Sequence, residues 1–224
     1  MLRFNGQRAQ NTIIFTFILM LIFVIKLGMF HFKYDYPINL ELERLFEIKT
    51  SLSEIIELLS TMITIAQNVV FMQWFRRAYY NLHQKTDGLA YTEGWAVASW
   101  FIPIISLYRP FIIMKELYVE TGKLLEEKYF IIFKKLNINL LFFWWLLYIC
   151  SSVIGWTSIY YAFNLENLSE LEVYYGLTKV NYIALILFSL INLKVIRDYS
   201  SMENLWKKFD DKKPTNEHDL DENE

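Results

Sequence analysis

A chain of 224 residues that is 54% hydrophobic and 18% aromatic, with a mean hydropathy of +0.23, is too apolar for a soluble domain and reads as a membrane protein. Its 22 Lys and Arg nearly balance its 24 Asp and Glu, which excludes a chain-wide basic footprint for nucleic acid. The lone cysteine, Cys150, lies in an apolar run and excludes an intrachain disulfide framework, a dithiol redox pair and a multi-cysteine metal site.

Residues 12–30 form a first apolar run, long enough for the roughly 20 residues that cross a bilayer. No small-x-small cleavage site follows it, so it is expected to stay as an uncleaved signal-anchor helix, with Lys26 near its far end snorkelling to the interface. After it, Leu42, Leu45, Phe46 and Leu52 have helical spacing, so the second helix is expected to start outside the bilayer. The second run, 55–75, carries the neutral polar residues Thr61, Thr64, Gln67 and Asn68. A third, 95–117, is broken by Pro103 and by the Arg109-Pro110 pair, which predicts an extended turn before a second short helix. The fourth and fifth runs are 137–163, with adjacent Trp144 and Trp145, and 180–196.

Positive charge decides how many of the five segments cross, because short cytoplasmic loops collect Lys and Arg. If 95–117 does not cross, Arg3, Arg8, every basic residue from Arg76 to Lys135 and every one from Lys194 onwards lie on one side. If it does cross, most of these are moved outside and Arg109 falls near mid-membrane, at a cost of several kcal/mol. Four spans with cytoplasmic termini follow, in an all-α membrane protein of the cell inner membrane whose outer loops, 31–54 and 164–178, are rich in acid. The segment 95–117 is then either re-entrant or interfacial, anchored by its Trp residues. Residues 120–136 have Leu124, Leu125, Tyr129 and Ile132 opposite Lys123, Glu126, Glu127 and Lys128, the pattern of a surface amphipathic helix. Beyond the fifth run, 195–209 is expected to continue its helix along anionic headgroups, and 210–224 to form a disordered acidic tail. Residues 1–209 thus make one multi-span domain.

The block Arg77, Ala78, Tyr79, Asn81, Leu82, then Gly88 and Trp95, then Trp100-Phe101-Ile102-Pro103-Ile104 with Pro110, resembles the signature of an uncharacterised bacterial family of four-helix membrane proteins, a domain of unknown function. The resemblance covers about 73–117, with the flanking spans similar in spacing only; Ser106 departs from it where an Asn is common. It implies a fold and a membrane location, and no activity.

Chemistry is sparse. The spans hold no interior Asp, Glu or His, and His31, His83 and His218 are far apart in the topology, so neither a metal site nor a cofactor is expected. Arg77 and His83 fit the loose spacing of HEPN-type nucleases, but so loose a pattern arises often by chance and Ala78 departs from it, so Arg76 and Arg77 read first as positive-inside anchors and His83 as a solvated loop residue. Thr61, Thr64 and Asn68 share a helix face; together with Gln67 and Asn192 they either line a pore or act as interhelical hydrogen-bond glue. Two functions remain open. One is an oligomeric pore, channel or membrane accessory of a signalling or antiviral defence system, in which copies of the chain associate and the basic face receives a protein or ribonucleoprotein. The other is a lipid-handling enzyme or carrier at the cytoplasmic leaflet, with Arg76, Arg77 and Arg109 gripping a phosphate or lipid headgroup.

Overall fold

The computed structural model describes residues 3–35, 43–129 and 138–210. Among these the elements are α1 (Gly6–Asp35), α2 (Glu43–His83), the short α3 (Trp95–Ala98), a 3-10 turn (Ile105–Leu107), α4 (Arg109–Tyr129), α5 (Ile138–Phe163) and α6 (Leu168–Asp210), with no strand. Four helices, α1, α2, α5 and α6, are long and apolar enough to cross a membrane. The expected spans 12–30, 55–75 and 180–196 lie inside α1, α2 and α6, the described part of 137–163 is α5, and α2 and α6 run far beyond their expected spans. The expectations for 36–42, for 130–137 and for the acidic tail from 211 onwards fall outside the described residues.

The spanning helices pack mainly side by side in the order α2, α1, α6, α5. Their register is fixed by polar contacts at matching depths. Lys26 pairs with Glu57 at 2.7 Å, the Thr12 hydroxyl donates to the Val70 carbonyl at 3.2 Å, and Arg8 donates to the Gln73 carbonyl at 3.0 Å, so α1 and α2 are antiparallel. Lys26 therefore meets a carboxylate and the ring of Tyr182, 5.2 Å from its ammonium, where snorkelling to the interface was expected.

At the end of the bundle that holds the N-terminus of α1 and the C-terminus of α6, called here the basic end, the helices are tied by an aromatic core. Trp74, Phe75, Trp144 and Tyr199 are buried there, and Trp74 meets Tyr199 edge-on at 5.9 Å while Phe71 faces Trp144 at 6.3 Å. Such ring pairs add stabilisation beyond their buried area, about 0.5–1.5 kcal/mol each.

The Pro-broken segment differs from expectation in two respects. Its Trp residues face the protein: Trp100 packs edge-on against Phe71 and Tyr148, and Trp95 lies under Arg109, so the exposed apolar tip consists of Phe101, Ile102, Ile104 and Leu107. Secondly, α4 starts at Arg109 and holds Pro110 in its first turn, where a helix has no use for that residue's missing amide hydrogen. No extended turn separates Arg109 from the helix. The end of α6 also departs from expectation, since Tyr199, Met202 and Trp206 are buried, the last two against Leu124 and Leu125 of α4. A protein helix covers the face that was expected to lie on headgroups.

Candidate functional site

The N-terminal segment folds back over the basic end and is clamped there. Asn81, near the end of α2, mimics a strand partner: its Oδ1 accepts the Arg3 backbone N–H at 3.0 Å and its Nδ2 donates to the Arg3 carbonyl at 2.9 Å. The same Nδ2 donates to Glu203 Oε1 at 2.6 Å, Lys207 donates to that oxygen at 2.9 Å, and Asn5 donates to Glu203 Oε2 at 2.9 Å. Glu203 is 2% exposed, and both of its oxygens are occupied by side chains from three segments of the chain. A carboxylate buried so deeply is stable only because it is so fully bonded.

This clamp brings Arg3 and Arg8 to the arginines at the end of α2. A cavity of about 500 Å³ is lined by Arg3, Arg8, Arg76 and Arg77, by Glu93 and Tyr80, and by the apolar side chains of Val69, Met72 and Val97. Each guanidinium is held differently. Arg3 stacks over Tyr80 at 4.3 Å, Arg8 is spent in part on the Gln73 carbonyl, and Arg76 reaches Glu93 at 3.3 Å. Arg77 is half-buried and has no hydrogen-bond or ion-pair partner among the described residues; Arg8, Arg3 and Arg76 are the cations that surround it.

The third arginine expected at this site is elsewhere. Arg109 lies over Trp95 at 4.0 Å and over Tyr91 at 4.7 Å, and it does not line the cavity. It belongs with the segment 84–94, which α2 and α4 strap in place: Glu116 accepts the Tyr79 phenol at 2.5 Å and the Ala90 amide at 2.7 Å, and His83 Nε2 meets the Tyr91 carbonyl at 2.8 Å. Gly88 turns this segment at φ +81°, a conformation that L side chains rarely adopt. His83 is thus engaged with Tyr91 and stacked edge-on to Tyr79 at 4.8 Å, while Arg77 faces the cavity. The geometry does not bring the nuclease-like pair together.

The polar residues of the spans divide as well. Gln67 and Asn192 both donate to the Thr16 hydroxyl, at 3.2 and 3.4 Å, and Asn192 Oδ1 accepts the Trp144 indole at 3.0 Å, so α2, α1, α6 and α5 share one buried relay. Thr61 and Thr64 turn their hydroxyls back to the carbonyls of Glu57 and Ser60. Thr61 and Asn68 are exposed on the outside of α2. Among the described residues no three His, Cys, Asp or Glu side chains come together.

Outside the spans, burial together with nearby Asp198 pushes the Tyr118 phenol well above its usual range; its hydroxyl donates to the Val195 carbonyl at 2.6 Å. Of the arginines expected from the sequence, Arg76 and Arg77 line this cavity; their companions Arg3 and Arg8, and Asn81 and Glu203 of the clamp, were not among the expected residues. The proximity of the N-terminal arginines to α2 in a hairpin of two antiparallel spans is the signal that would have found Arg3 and Arg8.

Four spanning helices closed at one end by an aromatic core and an arginine cavity define an all-α, multi-span membrane protein. The chain belongs to the family described as Domain of unknown function (DUF4328), whose model matches residues 41–201. No curated protein and no solved structure matches it.

Proposed function

We propose that this protein, with both termini in the cytoplasm of a bacterial inner membrane, binds the phosphate-bearing headgroup of an anionic lipid in the arginine cavity. The observation that carries this reading is half-buried Arg77, unpartnered among the described residues and surrounded by three further guanidiniums. Crowded like charges are unfavourable unless an anion joins them, and a guanidinium offers a phosphate two parallel N–H donors. Val69, Met72 and Val97 give the same cavity an apolar wall that suits the first carbons of acyl chains. The concentration of Lys and Arg on this side of the chain supports its cytoplasmic placement.

Native mass spectrometry of the purified, detergent-exchanged protein tests the reading. The wild type is expected to retain about one phospholipid per chain and Arg77→Gln to lose it, in keeping with the few kcal/mol that charge-assisted phosphate contacts contribute. A wild type that carries no lipid and takes none up overturns it.

A second reading, association of copies through α2, rests on a different observation. Asn68 and Thr61 are exposed on the outside of a spanning helix, and an amide facing hydrocarbon gains by bonding to a partner. The same spectra report stoichiometry: a monomer for the wild type overturns this reading, and an oligomer that Asn68→Leu dissociates supports it.

A further inference from the structure

Resting on the lipid-binding reading, we infer that the cavity selects an anion with more than one negative charge, a phosphomonoester or diphosphate group, over the singly charged phosphodiester of most membrane lipids. Of the four guanidiniums that line the cavity, only Arg76 has a carboxylate partner, Glu93 at 3.3 Å. Arg3, Arg8 and Arg77 remain without a balancing acid among the described residues. A phosphodiester supplies one negative charge and leaves a surplus, whereas a phosphomonoester supplies about 1.5 to 2 near neutral pH, and a diphosphate more.

Nor are these charges free to drift apart. An exposed arginine on a loose N-terminal segment would relieve the repulsion by swinging into water. Here Asn81 holds the backbone of Arg3 at both its N–H and its carbonyl, and buried Glu203 holds Asn81 and Asn5. Tyr80 fixes the Arg3 guanidinium from below, and the Gln73 carbonyl fixes Arg8. The fold therefore enforces a cluster of cations, and the clamp adds nothing that a singly charged ligand needs. Preorganised charge favours the ligand whose charge matches it.

The test titrates detergent-solubilised protein, at one fixed ionic strength, with dioctanoyl phosphatidic acid, dioctanoyl phosphatidylglycerol and inorganic pyrophosphate, and reads occupancy by native mass spectrometry. Phosphatidic acid is expected to bind about tenfold more tightly than phosphatidylglycerol, a modest ratio for one added charge beside several guanidiniums. Arg3→Gln, which leaves the backbone clamp to Asn81 in place, is expected to bring the two lipids within about twofold. Equal binding of both lipids by the wild type, lost in Arg77→Gln, overturns the charge selection and leaves the lipid reading intact. Binding of neither lipid nor pyrophosphate overturns both. Pyrophosphate binding as tightly as phosphatidic acid supports the charge selection and transfers the ligand from the bilayer to the cytosol.

Discussion

Glu203 shows how much a single side chain can hold. Its two oxygens receive Asn5, Asn81 and Lys207, so truncation leaves three donors, one of them charged, without their acceptor in a site that water scarcely enters. Glu203→Ala is expected to lower stability by about 3 kcal/mol, the scale for breaking a buried charged network, as read by thermal unfolding in detergent. Glu203→Gln keeps an acceptor oxygen and is expected to lose less. In the sequence Glu203 is one acid among the charges that follow the fifth apolar run, and nothing in its spacing tells it from its exposed neighbours. Its burial depends on a segment about 200 residues away, a relation that helical periodicity does not carry. Tyr118 makes a prediction about pH. Its phenol is held neutral by burial, whereas in the unfolded chain it ionises near pH 10. Above that pH the unfolded state releases a proton that the folded state keeps, so stability is expected to be intact below pH 10 and to fall as pH rises past it. An alkaline unfolding series checks this: Tyr118→Phe is expected to flatten the decline above pH 10, at a cost at neutral pH of about 1 kcal/mol for the lost hydrogen bond to Val195.

Among the elements, α4 is the one whose character hydropathy alone misjudges. The apolar run 95–117 is long enough to cross, yet only its second half is in α4, a helix that continues to Tyr129 and buries Leu124 and Leu125 against α6. The distribution of Lys and Arg predicts that it does not cross, because that rule reads the charge of whole loops and not local conformation. What charge could not supply was the path between Trp95 and Arg109, where local turns such as the Ser106 amide bonding to Ile102 at 2.7 Å set the course. Nor did it show which way the Trp side chains turn, since aromatic residues serve equally well as interface anchors and as core. Cysteine labelling examines the arrangement in a Cys150→Ser background. Glu127→Cys and Ser201→Cys, both exposed, are expected to react only with reagent admitted to the cytoplasmic side, and Ser169→Cys, exposed at the other end, with reagent applied outside. Asp87→Cys, exposed ahead of α4, is expected to label from the same side as Glu127→Cys, and opposite sidedness of these two would show that α4 crosses.

At the scale of the whole molecule, two kinds of cohesion serve two depths. The basic end is held by large rings and by the Glu203 clamp, while the middle is held by the relay from Gln67 through Thr16 and Asn192 to Trp144. Where lipid replaces water as solvent, apolar side chains gain little by choosing protein over lipid, and a few polar contacts set the helix order. Asn192→Leu is expected to cost about 1 kcal/mol, the range measured for such contacts within bilayers, and to leave the Trp144 indole without its acceptor; unfolding in bicelles by mild denaturant checks it. The relay also explains why the polar residues resisted assignment from sequence. Gln67 and Asn68 are neighbours, yet one is buried against Thr16 and the other is exposed, because a 100° step along a helix separates the inside of a four-helix bundle from its outside.

The clamp also orders events during synthesis. Asn81 leaves the ribosome 122 residues ahead of Glu203, yet the N-terminal segment needs both to be seated. Until α6 has emerged, Arg3 and Arg8 lack the anchor that gathers them beside Arg77, so a prematurely terminated chain would insert its first helices and still present no ordered cluster of cations. Competence of the cavity is thereby coupled to the synthesis of α6.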